Sequence, residues 1–138
     1  MGLKKYLGLE RRGLPRYSAA VDVEFYIWDS AGKKPRTGKV TGRLHEISFE
    51  GACLQTNNVL IDGYHILRDH DLEGGTPLVL ELPPAAEGVP WNLKAQVIWY
   101  NRVTADRPLQ FDVGLKFLDV SEAERQNLRV LIKSISAS

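Results

Sequence analysis

Residues 91–100, WNLKAQVIWY, alternate in character: Trp91, Leu93, Ala95, Val97 and Trp99 fall on one face against Asn92, Lys94 and Gln96. A period of two is the repeat of an extended chain, whose successive side chains point to opposite sides. The stretch therefore predicts a half-buried strand, with Trp91 and Trp99 packed in a core rather than offered as a stacking platform. Residues 109–117 repeat the scheme with Leu109, Phe111, Val113, Leu115 and Phe117. Residues 17–28 do so again, with Val21, Val23, Phe25 and Ile27 on one face and Asp22, Glu24 and Tyr26 on the other. The runs 37–47, 51–56 and 76–82 are also β-leaning, the last through Leu78, Leu80 and Leu82. Glycines interrupt the first two, as expected where a sheet bends or another group approaches the backbone.

Breakers separate these runs. DSAGKKPR at 29–36 reads as an exposed hairpin loop and PPAAEGVP at 83–90 ends a strand. The connection at 57–75 is long for a segment without structure of its own, so it is expected to hold a short helix or to act as a functional flap. The period changes at the end of the chain. Ser121 and Glu124 have the spacing of a capping box, and Leu128, Leu131, Ile132 and Ile135 then mark one face of a helix. The sum is a mainly β domain: a six-stranded antiparallel barrel over 17–118, a C-terminal helix over 121–136 that caps or flanks it, and a flexible arm over 1–16.

The chain of 138 residues is sized for one domain, and 43% hydrophobic with 25% charged residues is the composition of an ordinary folded globule. Lys plus Arg (18) nearly balances Asp plus Glu (17), so any electrostatic function is local. It concentrates in the arm, where Lys4, Lys5, Arg11, Arg12 and Arg16 face Glu10 alone. The acidic balance elsewhere argues against a nucleic-acid barrel, which would track phosphates over a wide basic surface. A lone Cys53 in an apolar run excludes an internal disulfide and suits a reducing compartment. No window approaches the roughly 18 apolar residues of a membrane span, and the N-terminus lacks a secretory apolar core, so a cytoplasmic protein is expected. His65, Asp69, His70 and Asp71 are close in sequence but lack a metal-ligand spacing, so no metal is expected. With no nucleophile motif, phosphate loop or carboxylate pair, neither an enzyme nor a cofactor is expected.

Chemistry concentrates in two short stretches. In ERRGLPRYSA, residues 10–19, Pro15 fixes its own backbone angle and disfavours helix at Leu14, so the segment is extended or turning. Arg12 and Arg16 can then converge on one ligand from two sides. A guanidinium is always charged, presents five donors in a fixed fork and stacks on planar rings, traits that suit a ligand combining phosphate with a purine. The second stretch is EISFEG, residues 46–51: Glu46 offers an acceptor for the donors of a guanine edge, Ser48 a small hydroxyl and Gly51 a close backbone approach. Taken singly, three arginines are a solvated basic flank, and Ser48 with Gly51 is a tight bend.

Taken together, the RRxxxR of Arg11, Arg12 and Arg16 and a near match to D/N-x-S-x-x-G at Glu46, Ser48 and Gly51 resemble the PilZ domain of bacteria. The strand DVGLKFLDVS and the capped helix after it extend the resemblance over residues 10–135. It implies a six-stranded barrel that binds cyclic di-GMP, with the arginine loop folding across the ligand. Arg12 and Arg16 would grip guanine and phosphate, and Ser48 and Gly51 would line the other side. Arg11, just ahead of the motif, is implied to accompany two stacked ligand molecules. Glu46 departs from the family's Asp or Asn by one methylene, which shifts the carboxylate outward. The expected function is a cyclic di-GMP receptor whose arm changes conformation on binding and which signals to a separate partner protein. The alternative is a PilZ-like adaptor for motility, pilus or secretion components that no longer binds nucleotide.

Overall fold

The computed structural model describes residues 15–66, 77–84, 89–103 and 111–136. Six strands close a barrel: β1 (Tyr17–Asp29), β3 (Val40–Ile47), β4 (Gly51–Thr56), β7 (Pro77–Leu82), β8 (Trp91–Arg102) and β9 (Phe111–Leu118). Their order is β1-β3-β4-β9-β8-β7, every pair is antiparallel, and β7 pairs back onto β1 through Glu24–Ile27. Closure removes the open edges that an antiparallel sheet would otherwise present. A two-residue strand β2 (Lys34–Pro35) folds back on the end of β1, and β5 (Leu60–Ile61) pairs with β6 (Tyr64–His65) in a separate hairpin. Helix α1 (Glu122–Ser136) follows β9.

The alternation read in the sequence builds the core. Val23, Phe25, Ile27, Leu44, Leu54, Leu78, Leu80, Leu82, Leu93, Ala95, Val97, Val113, Leu115 and Phe117 are buried in one cluster. Leu109 lies outside the described residues. The capping box forms as its spacing predicts: the Ser121 backbone N–H donates to Glu124 Oε1 at 3.0 Å, and the Glu124 N–H donates to Ser121 Oγ at 3.1 Å. The helix then buries Leu128, Leu131 and Ile132 in the same core and packs chiefly on β1 and β8.

Two features go beyond the sequence reading. Within the 57–75 connection, the described residues 57–66 hold no helix. They form the β5–β6 hairpin, turning through Asp62 (φ 50°) and Gly63 (φ 86°), with Ile61 and Ile66 buried in the core. The signal was present as Asp-Gly between apolar residues, the pair best able to adopt positive φ at both central turn positions. Gly38 donates its N–H to Asp62 Oδ2 at 2.7 Å and Arg36 lies over the Tyr64 ring, tying this hairpin to the β1–β3 connection. Residues 67–75 lie outside the described residues.

The second feature, at Trp99, is a correction. Pairing along β8 shifts between Val97, opposite Leu115, and Trp99, opposite Gly114. The extra residue, Ile98, is a bulge, and a one-residue slip moves the following side chain to the other face. Trp91 stays in the barrel core, whereas Trp99 packs with Cys53 in a cluster of its own. Its indole lies directly over Gly114, where any β-carbon would collide with the ring.

Candidate functional site

The β3–β4 turn carries Glu46, Ser48 and Gly51 at one end of the barrel. The Ser48 N–H donates to the Gly51 carbonyl at 2.9 Å, closing the turn, while Ser48 Oγ accepts the N–H of Glu50 at 3.0 Å and of Gly51 at 3.3 Å. Ser48 is fully buried, so its hydroxyl shapes the turn from inside. The turn is also locked to β9. The Phe117 N–H donates to the Glu50 carbonyl at 2.8 Å, and a β-carbon on Gly51 would collide with the Leu115 carbonyl. Glycine is thus required at residue 51 by packing between strands, whatever approaches from outside.

Glu46 is aimed outward by a second bulge. Leu44 faces Leu54 in the core, the register then slips, and Glu46 stands opposite Cys53, the outward neighbour of Leu54. Without the extra residue, His45, Glu46 would share the inward face of Leu44. A third irregularity, between Ser18 and Val21 on β1, brings Ser18 opposite Glu46. One outer row thus crosses five strands: Ser18, Glu46, Cys53, Gly114 and Trp99. Its middle is apolar, made of the Cys53 thiol and the Trp99 indole lying over Gly114. Burial first, and then the nearby carboxylates of Asp112 and Glu46, push the Cys53 thiol up to about 12, so it is neutral and unreactive at ordinary pH.

Arg16 precedes β1 and reaches this row. Its Nη1 lies 3.1 Å from Glu46 Oε1, in an ion pair and hydrogen bond with both side chains 28% exposed. The thirty residues between the two motifs are therefore spanned in space by one direct contact. The Glu46 side chain thus engages an arginine of the neighbouring motif. Of the predicted site residues, Arg16, Glu46, Ser48 and Gly51 are brought together. Arg11 and Arg12 lie outside the described residues.

A groove of about 640 Å³ elsewhere on the barrel is lined by Asp22, Glu24, Arg43, Asn58, Glu81 and Pro83, among others, and by none of the predicted site residues. Arg43 pairs with Asp22 at 3.2 Å and Lys39 with Glu81 at 2.8 Å, so much of its charge is already matched. None of the described helices is long and apolar enough to cross a membrane.

Solved structures similar in fold share the barrel and helix. The PilZ domain of YcgR from Escherichia coli, solved with c-di-GMP, superposes with a TM-score of 0.60 at 17% identity, over 92% of each chain. The PilZ domain of CeSA from a cellulose-synthesizing bacterium gives 0.53 at 18% identity, over 88% of this chain and 98% of that one. The Bacillus subtilis inhibitor of motility, MotI/DgrA, gives 0.58 at 15% identity over 92% of this chain, which spans only 51% of that protein. At these identities the likeness concerns the fold. No curated protein matches the sequence significantly. The family model for the PilZ domain matches residues 10–134, taking in both motifs, the barrel strands and nearly all of the helix. The chain belongs to the PilZ domain family.

Proposed function

We propose that the protein is a cytoplasmic, non-enzymatic receptor for cyclic di-GMP that folds its arginine arm over the ligand and passes the signal to a partner protein. The observation that carries this reading is the contact between Arg16 and Glu46, which sets one residue of each motif at the same place on the barrel wall. Arg16, with Arg11 and Arg12 just before it, supplies guanidinium groups for phosphate and guanine. Glu46 supplies an acceptor toward the guanine edge, and the Ser48–Gly51 turn holds that acceptor in place. The row of Cys53, Gly114 and Trp99 beside Glu46 is apolar and buried, and backs the acceptor on that side. A dianion that binds the folded arm far better than the free one shifts the population toward the folded arm, which is the switch. Arg11 extends the anion-binding run and supports two stacked ligand molecules.

Calorimetric titration with cyclic di-GMP tests this directly. Arg12→Ala and Arg16→Ala are each expected to weaken binding at least tenfold, since a charge-assisted hydrogen bond contributes about 1.5–3 kcal/mol. Unchanged affinity in both variants would remove the arginines from the site. One observation favours a second reading: Glu46 already engages Arg16, so the described motif residues satisfy one another without nucleotide. A PilZ-type adaptor that binds only protein would show no cyclic di-GMP heat in the wild type and a stable co-purifying partner.

A further inference from the structure

The strand register singles out a cation that neither motif contains. Lys116 stands on β9 directly opposite Gly51 on β4, with Gln96 on its other side. It alternates with Leu115 and Phe117, both buried in the barrel core, and is itself exposed on the outer face. Gly51 has no side chain, so nothing from β4 stands between Lys116 and the row that holds Glu46. The spacing is rigid, because Gly51 is packed against the Leu115 carbonyl and the Glu50 carbonyl accepts the Phe117 N–H at 2.8 Å.

Charge around the turn gives this lysine its task. Among the described residues Arg16 is matched by Glu46, and Glu50 adds a second carboxylate to the same turn. Arg36, Lys39 and Arg43 each face a carboxylate as well. A cation on the wall beside this turn attracts an anionic ligand. Lys116 supplies that cation, and enters no ion pair among the described residues.

We infer that Lys116 is a further ligand-binding residue, whose Nζ donates to a phosphate oxygen of the cyclic dinucleotide from the barrel side, opposite the arginine arm. The inference rests on the cyclic di-GMP reading of the same site. An ammonium on a flexible stem acts as a point charge, so arginine should substitute for it and a neutral residue should not.

The test is titration of cyclic di-GMP into the wild type, Lys116→Ala, Lys116→Arg and Lys34→Ala, with thermal melts to confirm folding. Lys34 removes an equal charge from β2, at the far end of β1 from Ser18. Lys116→Ala is expected to weaken binding about tenfold, the effect of one charge-assisted hydrogen bond. Lys116→Arg should restore most of the loss and Lys34→Ala should leave affinity unchanged. Wild-type binding with unaltered affinity in Lys116→Ala, or an equal loss in Lys34→Ala, overturns the assignment of Lys116 alone. Absence of binding by the wild type overturns the receptor reading and this assignment with it.

Discussion

At the residue scale, the site depends on which face a side chain takes. Glu46, Cys53 and Trp99 share an outer row because His45 and Ile98 are inserted as bulges. Strict alternation would have sent Trp99 inward with Val97. Residue types were legible: an acceptor at 46, a turn-shaping hydroxyl at 48, a glycine at 51. Their orientation was not, because a bulge is chosen by the partner strand rather than by the residue itself. Cys53 offers a measurable consequence. Its folded-state thiol is pushed up to about 12, against about 8.5 for an unfolded cysteine, so the folded protein holds this proton more tightly. The contribution is fully present below about pH 8.5 and is lost as pH rises toward the folded value. Between pH 7.5 and pH 10, wild type should lose about 2 kcal/mol relative to Cys53→Ala in denaturant-unfolding experiments. A stability gap that does not change with pH would refute it.

At the element scale, legibility follows locality. The start of α1 was readable because a capping box needs only Ser121 and Glu124, and both reciprocal bonds form. Ser121→Ala should cost about 1 kcal/mol by chemical denaturation, and Ser121→Asp should recover most of it. No recovery would mean that the hydroxyl does something other than cap. The β5–β6 hairpin was also written locally, in Asp62-Gly63, but two-residue strands are too short to show a period and the surrounding polar residues hid the signal. Its Ile61 and Ile66 are core residues, so this part of the long connection contributes to the barrel itself.

At the scale of the whole molecule, closure and ligand binding meet. The pairing of β1 with both β3 and β7 shuts the barrel, and the turn bearing Glu46 sits where β3 passes into β4. A ligand that binds only the folded barrel must stabilise it. At free cyclic di-GMP one-hundredfold above Kd, mass action adds about 2.7 kcal/mol. The thermal midpoint of the wild type should therefore rise with ligand concentration, while that of Arg16→Ala should rise much less at the same concentrations. Equal rises in the two proteins would place the ligand away from this wall.

Period and spacing by themselves determined the strands, the capped helix, the core they bury and the residue types of both motifs, because these depend on contacts within a few positions along the chain. The tertiary structure alone decided three further features: the closing of β1 onto β7, the two bulges that turn Glu46 and Trp99 outward with a third that brings Ser18 opposite Glu46, and the register that sets Arg16 against Glu46 and Lys116 against Gly51. Those depend on hydrogen-bond pairing between strands distant in sequence, and a register slip of one residue would reverse every face without altering a single letter.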